Sequence, residues 1–235
     1  PLRTSSNIEV GKIVDMTESD SLVVHHHPSN QDQEPIGSAV ALFSAKDLGL
    51  KYLGGDVETE VCAAPATRFG LVALTVHDPI ESDPAAIVKQ TYLDLYSQTQ
   101  AQGFSHWLRI WQFIPAINHG QEDEERYRRF CVGRAEALAQ LGLSEQRMCA
   151  ATAIGCFDET FRLFALVGHQ PGRAVENPRQ VSAWQYPPEY GPASPAFARA
   201  TAILDGDGEL SGLMVSGTAA VLGHASAHPN DAVAQ

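Results

Sequence analysis

Residues 177–200 read NPRQVSAWQYPPEYGPASPAFARA. Arg179 and Arg199 bracket Trp184, Tyr186 and Tyr190 together with four prolines. Alternation from Arg179 to Tyr186 predicts a strand, and a second alternating run from Phe197 to Leu204 predicts another beyond the proline-rich turn. Guanidinium forks, phenolic hydroxyls and stiffened loops in one hairpin suit a small anionic ligand that carries a ring. The same residues also suit an arginine-decorated sheet edge blunted by proline. Chemistry alone leaves the two readings level.

Outward from this stretch, Asp205-Gly206-Asp207-Gly208 predicts a turn into a strand over Glu209–Val221, since Asp-Gly between alternating runs marks a hairpin. Pro229-Asn230-Asp231 reads as the cap of a helix whose first turn is Ala232-Val233-Ala234. Upstream, Ser38–Phe43 and Phe69–Val76 predict an antiparallel strand pair with Gly54-Gly55-Asp56 turning between them. Short strands are expected at Ile8–Val14 and Leu22–Val24. A helix starts at Ser82 or Asp83 with Pro84 in its first turn, presents Ile87, Val88, Thr91, Tyr92 and Leu95, and ends at Gly103. Phe104–Ile117 predicts a buried strand. Asp123–Leu141 predicts a second helix closed by Gly142, with Tyr127, Phe130, Cys131, Arg134 and Leu138 at spacings of three and four. Arg134 on that apolar stripe either snorkels or points at something. Met148–Gly155 and Thr160–Gly168 then predict a hairpin about Phe157-Asp158-Glu159.

This order describes an α+β fold: residues 1–169 form one unit, a mixed sheet with two helices on one face, and residues 170–235 supply the opening strands of a second, incomplete unit. With 235 residues the chain suits one large domain or two small ones, and 44% hydrophobic with 19% charged residues is an ordinary globular composition. No apolar run reaches the roughly 18 residues of a membrane span, and the N-terminus lacks a basic-then-apolar leader, so a cytoplasmic protein is expected. Cys62, Cys131, Cys149 and Cys156 lack metal-like spacing and read as buried thiols.

A net charge of −12 argues against nucleic acid or an anionic membrane as partner. All four lysines lie early, while ten of twelve arginines follow residue 100, so a carboxylate site belongs in the second half. Adjacent His25, His26 and His27 make a poor metal site, since neighbours on a strand point opposite ways. His224 and His228, four apart, read as structural hydrogen-bonding residues. Asp158 and Glu159 read as solvated turn carboxylates. No metal or cofactor is expected.

Three strings, Asn177–Ala200, Tyr127–Leu138 (YRRFCVGRAEAL) and Ser216–His228 (SGTAAVLGHASAH), together resemble the chorismatases from about Phe104 onward. The resemblance implies two RidA-like (chorismate-mutase-like) units. It also implies cleavage of the enolpyruvyl ether of chorismate to pyruvate plus a dihydroxycyclohexadiene carboxylate or 3-hydroxybenzoate. Candidate carboxylate clamps are Arg134, Arg179 and Arg199, with Tyr127, Tyr186 and Tyr190 as hydroxyl partners or ring walls. Gly217 and Thr218 close a hairpin strand where a ligand can approach the backbone. The acid that protonates the ether is expected, on the resemblance, beyond Gln235, which makes this polypeptide alone weak or inactive and its uncovered strands prone to self-association. The alternative is a non-catalytic RidA-like binder of small carboxylates.

Overall fold

The computed structural model describes residues 21–23, 41–44, 59–62, 68–144, 148–217, 220–228, 230, 231 and 233. Its main layer is a five-stranded sheet of β3 (Thr59–Cys62), β4 (Phe69–His77), β5 (His106–Pro115), β6 (Ala150–Cys156) and β7 (Thr160–Gly168), in the spatial order β3-β4-β7-β5-β6. Only β5 and β6 run parallel, so the sheet is mixed as expected.

Helices α1 (Pro84–Ala101) and α2 (Arg126–Leu141) lie against one face. Asp83 caps α1 by accepting from the Ala85 amide at 3.0 Å, and Pro84 fits the first turn because no amide is needed there. Gly142 ends α2 in the left-handed conformation, φ 67°. Val88, Tyr92 and Leu95 from α1 and Phe130, Cys131 and Leu138 from α2 meet Val72, Ile110, Ile114, Phe161 and Leu163 of the sheet. The helices close on each other at Gly133, where a Cβ would stand 2.2 Å from the Ala85 carbonyl oxygen. Arg126, at the start of α2, ties this layer together. It pairs with buried Asp78 at 2.5 Å and donates to the carbonyls of Pro115, Pro79, Ile80 and Ser82.

The opposite face meets a second, three-stranded sheet, β10-β9-β8, built from β8 (Arg173–Val175), β9 (Ala200–Leu204) and β10 (Leu210–Val215). Leu108, Leu166 and Ile203, with Phe69, Trp111 and Met214, fill this junction. A bulge between Trp107 and Arg109 shifts the side-chain alternation of β5, and Leu108 packs here while Ile110 faces the helices.

Several sequence expectations are corrected. Phe69–His77 pairs with Thr59–Cys62, whereas Ala41–Ser44 (β2) pairs with Ser21–Val23 (β1). Alternation announces a strand but does not choose its partner. The strands after α2 do not form a hairpin. β7 inserts between β4 and β5, and β6 lies on the far side of β5. Pro115 ends β5 level with Cys156, which lets the turn at residues 157–159 step over its end. Two strand spacings amount to roughly 10 Å, within reach of four residues.

Gln180–Tyr186 is not a strand. Gln180 makes one isolated bridge to Gly223, and Ala183–Gln185 is a 3-10 turn. Pro178, Pro187 and Pro188 cannot donate to a ladder, so the flanking segment takes turns instead. The first partner of β9 is the unforeseen β8. β10 stops at Val215, and the chain pairs again at β11 (Val221–Leu222) with β12 (Ala225–Ser226). Ile8–Val14, Gly54-Gly55-Asp56, His25–His27 and most of the helix expected after Pro229 lie outside the described residues.

Candidate functional site

The edge strand β6 is stitched to the second sheet by hydroxyl groups. The Ala150 amide donates to Thr201 Oγ1 at 2.7 Å and the Ala151 amide to Ser216 Oγ at 2.9 Å. Ser216 Oγ donates to the Ala198 carbonyl at 2.5 Å, while its own amide donates to the Arg199 carbonyl at 2.9 Å. Next to it, the Gly217 amide donates to Thr152 Oγ1 at 2.9 Å. This seam fixes both segments that carry candidate residues, 198–201 and 216–217.

Beside the seam opens a cleft of about 570 Å³, lined by Glu176, Arg179, Arg199, Leu213, Val215 and His228 among others. Arg199 is half-buried there. Its Nη2 donates to Tyr186 Oη at 2.8 Å and to the Val181 carbonyl at 3.1 Å, and its guanidinium lies 5.2 Å from the Phe197 ring centre and 5.7 Å from that of Tyr186. The Arg199 Nε is buried without an acceptor among the described residues. Tyr186 leans on Tyr190, ring centres 5.4 Å apart, and Tyr190 Oη meets both Nδ1 and the carbonyl of His224 at 3.0 Å. Arg179 is exposed on the cleft wall.

Arg134 lies elsewhere. It is 2% exposed, held within the helix–sheet core above the Phe130 ring at 4.9 Å, with Nη2 3.6 Å from Cys131 Sγ and Nε lacking any acceptor. Tyr92 and Tyr127 stand beside it, and burial pushes both phenols up from their ordinary value. No carboxylate pairs with Arg134 among the described residues. Tyr127 packs on this core and stacks on Phe130, ring centres 6.0 Å apart. An arginine buried without a counter-ion is costly unless a ligand supplies one.

The structure thus gathers Arg179 and Arg199 in one cleft, puts Tyr186 and Tyr190 on its flank, and sets Arg134 with Tyr127 apart in the helix–sheet core. Gly217 is on the seam, where a Cβ would sit 3.0 Å from Thr152 Cγ2. Thr218 lies outside the described residues. Of the expected structural groups, His224 does hydrogen-bond, and Cys131, Cys149 and Cys156 are buried thiols. Burial pushes the Cys149 thiol up to about 12. Asp158 and Glu159 are engaged rather than merely solvated: Asp158 grips Arg162 at 2.7 Å, and Glu159 accepts from the Ile80 amide at 3.2 Å.

Three residues escaped the sequence reading. Glu176 lines the cleft, its Oε1 accepting from the Arg199 amide at 3.1 Å while Oε2 is buried and, among the described residues, unpartnered. It stands one position before the quoted motif. Arg109, 5% exposed and brought down to about 10 by burial, stacks on Trp111 and donates to Thr152 Oγ1. An arginine inside a run as apolar as residues 104–117 was the available signal. Thr152 gave none. Among the described residues no cluster of metal-ligating side chains occurs, and no helix is long and apolar enough to cross a membrane.

Residues 55–167 match a family model described as the N-terminal part of FkbO/Hyg5-like chorismatases. A 3-hydroxybenzoate synthase of Streptomyces hygroscopicus is 42% identical over 151 residues, covering 63% of this chain and 44% of the relative. A chorismatase of Streptomyces rapamycinicus is 35% identical over 153 residues, covering 64% and 46%. A chorismatase crystal structure at 1.08 Å superposes with a TM-score of 0.69 at 32% identity, covering 77% of this chain and 54% of that one. The chain spans about half the length of the curated relatives it matches.

Proposed function

We propose, from the premise that this chain belongs to the chorismatase family, that it binds chorismate in the cleft beside Arg199 and serves cleavage of the enolpyruvyl ether. The observation that carries this reading is the pair of under-satisfied arginines. Arg199 and Arg134 are each held by aromatic rings, and each retains a buried Nε without an acceptor among the described residues. Chorismate brings two carboxylates, a ring and a hydroxyl to such a place. A bidentate carboxylate satisfies a guanidinium fork as no carbonyl can.

In the proposed reaction an acid delivers a proton to the terminal methylene carbon of the enolpyruvyl group, turning it into a methyl group and leaving an oxocarbenium ion. Water adds to the oxocarbenium carbon, and the hemiketal loses a proton and collapses to pyruvate, the electron pair of the broken bond going to the ether oxygen. When the neighbouring ring hydroxyl adds instead, a cyclic ketal forms and the ether bond breaks in the same way. Pyruvate then departs with that hydroxyl's oxygen as the ring carbon–oxygen bond breaks and a ring proton is lost to make the ring aromatic. Capture by water leads to the dihydroxycyclohexadiene carboxylate, and capture by the ring hydroxyl opens the way to 3-hydroxybenzoate. Arg179 and Arg199 hold carboxylate charge, while Tyr186 and Tyr190 wall the ring. A proton donor kept neutral in an apolar setting suits this chemistry. On the family resemblance we place that donor in the part of the relatives that this chain does not match.

We further propose two RidA-like units divided near residue 169, which fits the way the five-stranded sheet ends at Gly168 and a new sheet starts at Arg173. The exposed Leu210 on that new sheet suits burial against further polypeptide or a second copy. The function is tested by titrating chorismate calorimetrically and by coupling pyruvate release to lactate dehydrogenase. Saturable binding with weak turnover is expected from these residues. Absence of binding overturns the reading, and turnover of roughly 1 per second or more would place the proton donor within the present residues. Sedimentation of this polypeptide is expected to show self-association, and a monodisperse monomer would count against a unit boundary near residue 169.

A further inference from the structure

We infer that Thr152, braced by Arg109, is a positioning residue of the cleft: its hydroxyl sets the backbone at Gly217 and, through Ser216, the place of Arg199. The inference rests on the proposed reading of the cleft as the chorismate site. It begins with an anomaly. Among the described residues Arg109 is a buried cation without a carboxylate partner, on the face of the main sheet turned away from the helices. Its Nη1 donates to the Ile110 carbonyl at 2.8 Å, its plane lies 4.9 Å from the Trp111 ring centre, and its Nη2 donates to Thr152 Oγ1. That oxygen also receives the Gly217 amide at 2.9 Å. Two donors converge on one hydroxyl, so both of its acceptor positions are taken and its orientation is fixed.

The other side of Thr152 is fixed as well. Its carbonyl accepts from Gln112 Nε2 at 3.2 Å, and Gln112 Oε1 accepts from Tyr92 Oη at 2.7 Å. A polar path therefore runs from the buried Tyr92–Gln112 pair, through the main sheet, to the exposed Gly217 amide. From Gly217 it is one residue to Ser216, whose amide holds the Arg199 carbonyl and whose hydroxyl holds the Ala198 carbonyl. Arg199 is gripped by its main chain on both sides, and its guanidinium then leans on Tyr186 and Phe197. Without such a grip a half-buried arginine on a connecting segment would sample many rotamers, and ordering it on ligand binding would cost affinity.

Two substitutions separate hydrogen bonding from packing in the full chain. Thr152→Val keeps the shape and removes the hydroxyl, whereas Thr152→Ser keeps the hydroxyl and removes the methyl group that faces Gly217. Amide exchange at Gly217, read by NMR, is expected to quicken about three- to tenfold or more in Thr152→Val and to stay near wild type in Thr152→Ser. Chorismate affinity should follow the same split, with a weakening of about three- to tenfold for valine and rescue by serine. Equal Gly217 protection in Thr152→Val and wild type overturns the inference, as does a serine variant that loses as much as valine. Arg199→Lys is the parallel arm. If it weakens chorismate binding while Thr152→Val does not, the positioning role falls and the site reading stands. If wild type itself does not bind chorismate, the site reading falls and the exchange rates at Gly217 decide the brace.

Discussion

Arg126 and Arg134 lie eight residues apart on α2, both 2% exposed, and their replacement by methionine should move stability in opposite directions. Arg126 has a full set of partners: Asp78 at 2.5 Å and four carbonyls. Arg126→Met would leave Asp78, which is 0% exposed, as an uncompensated buried charge. Breaking such a pair costs about 3–5 kcal/mol, or a fall in melting temperature of roughly 10 °C for a chain of this size. Arg134 has no carboxylate among the described residues and one orphaned donor. Its burial costs several kcal/mol, and contact with the Phe130 ring returns at most about 2 kcal/mol. Arg134→Met should therefore stabilise the free protein by about 1–2 kcal/mol, a rise of a few degrees. The same change should cost ligand binding about 2 kcal/mol or more, at least roughly thirtyfold in chorismate affinity. Differential scanning calorimetry and titration of both variants are the assays. An Arg134→Met protein that melts as early as Arg126→Met, or that binds chorismate normally, would refute the reasoning and make Arg134 a structural brace.

Arg179→Lys and Arg199→Lys should each weaken chorismate binding by about 1–3 kcal/mol in calorimetry despite the retained charge, since lysine lacks the planar fork. Arg162→Lys, whose parent grips Asp158 away from the cleft, should bind as wild type does. Gly133→Ala places a methyl group 2.2 Å from the Ala85 carbonyl oxygen and should separate the helices, at a cost of about 1–3 kcal/mol in urea unfolding. The Arg129 hydrogen bond holds the Asp83 carboxyl below the usual carboxylate range. The depressed value means that its stabilisation is present above about pH 3.9 and lost as pH falls through the folded value. Asp83→Asn retains an oxygen for the Ala85 amide, so the variant should be slightly less stable at pH 7 and equal to wild type once pH has fallen well below 3.9, measured by urea unfolding at both.

The helices were legible because their signals are local. Asp83 with Pro84 starts one and Gly142 ends the other, and each apolar stripe is complete within its own sequence. Strand pairing was not legible, because it is decided by distant residues. Nothing in Thr160–Gly168 announces that it lies between Phe69–His77 and His106–Pro115 rather than beside its neighbour Ala150–Cys156. Its near-continuous apolar character, buried on both faces, was the available hint of a central position. Alternation misled at Gln180–Tyr186, where prolines on both sides deny the segment a ladder.

At the site, the sequence named the arginines and tyrosines but could not say which share a cavity. Arg199 and Tyr186 are thirteen residues apart and touch at 2.8 Å, whereas Arg134 lies over the Phe130 ring in the helix–sheet core. What gives the arrangement functional meaning is a comparison of counter-ions. A chain with 28 acidic and 16 basic residues has carboxylates to spare. It places one against Arg126, where the role is to hold the helix layer together, and others against Arg128, Arg129 and Arg162 at the surface. Among the described residues it places none against Arg109, Arg134 or the guanidinium of Arg199. Arg109 spends its donors on Thr152 and so on the seam. Arg134 and Arg199 each keep a buried Nε without an acceptor among the described residues, in walls of aromatic rings that lower the dielectric around them and strengthen their attraction for an incoming carboxylate. In an acidic protein, cations left unpaired at these positions point to a negative charge that arrives from outside.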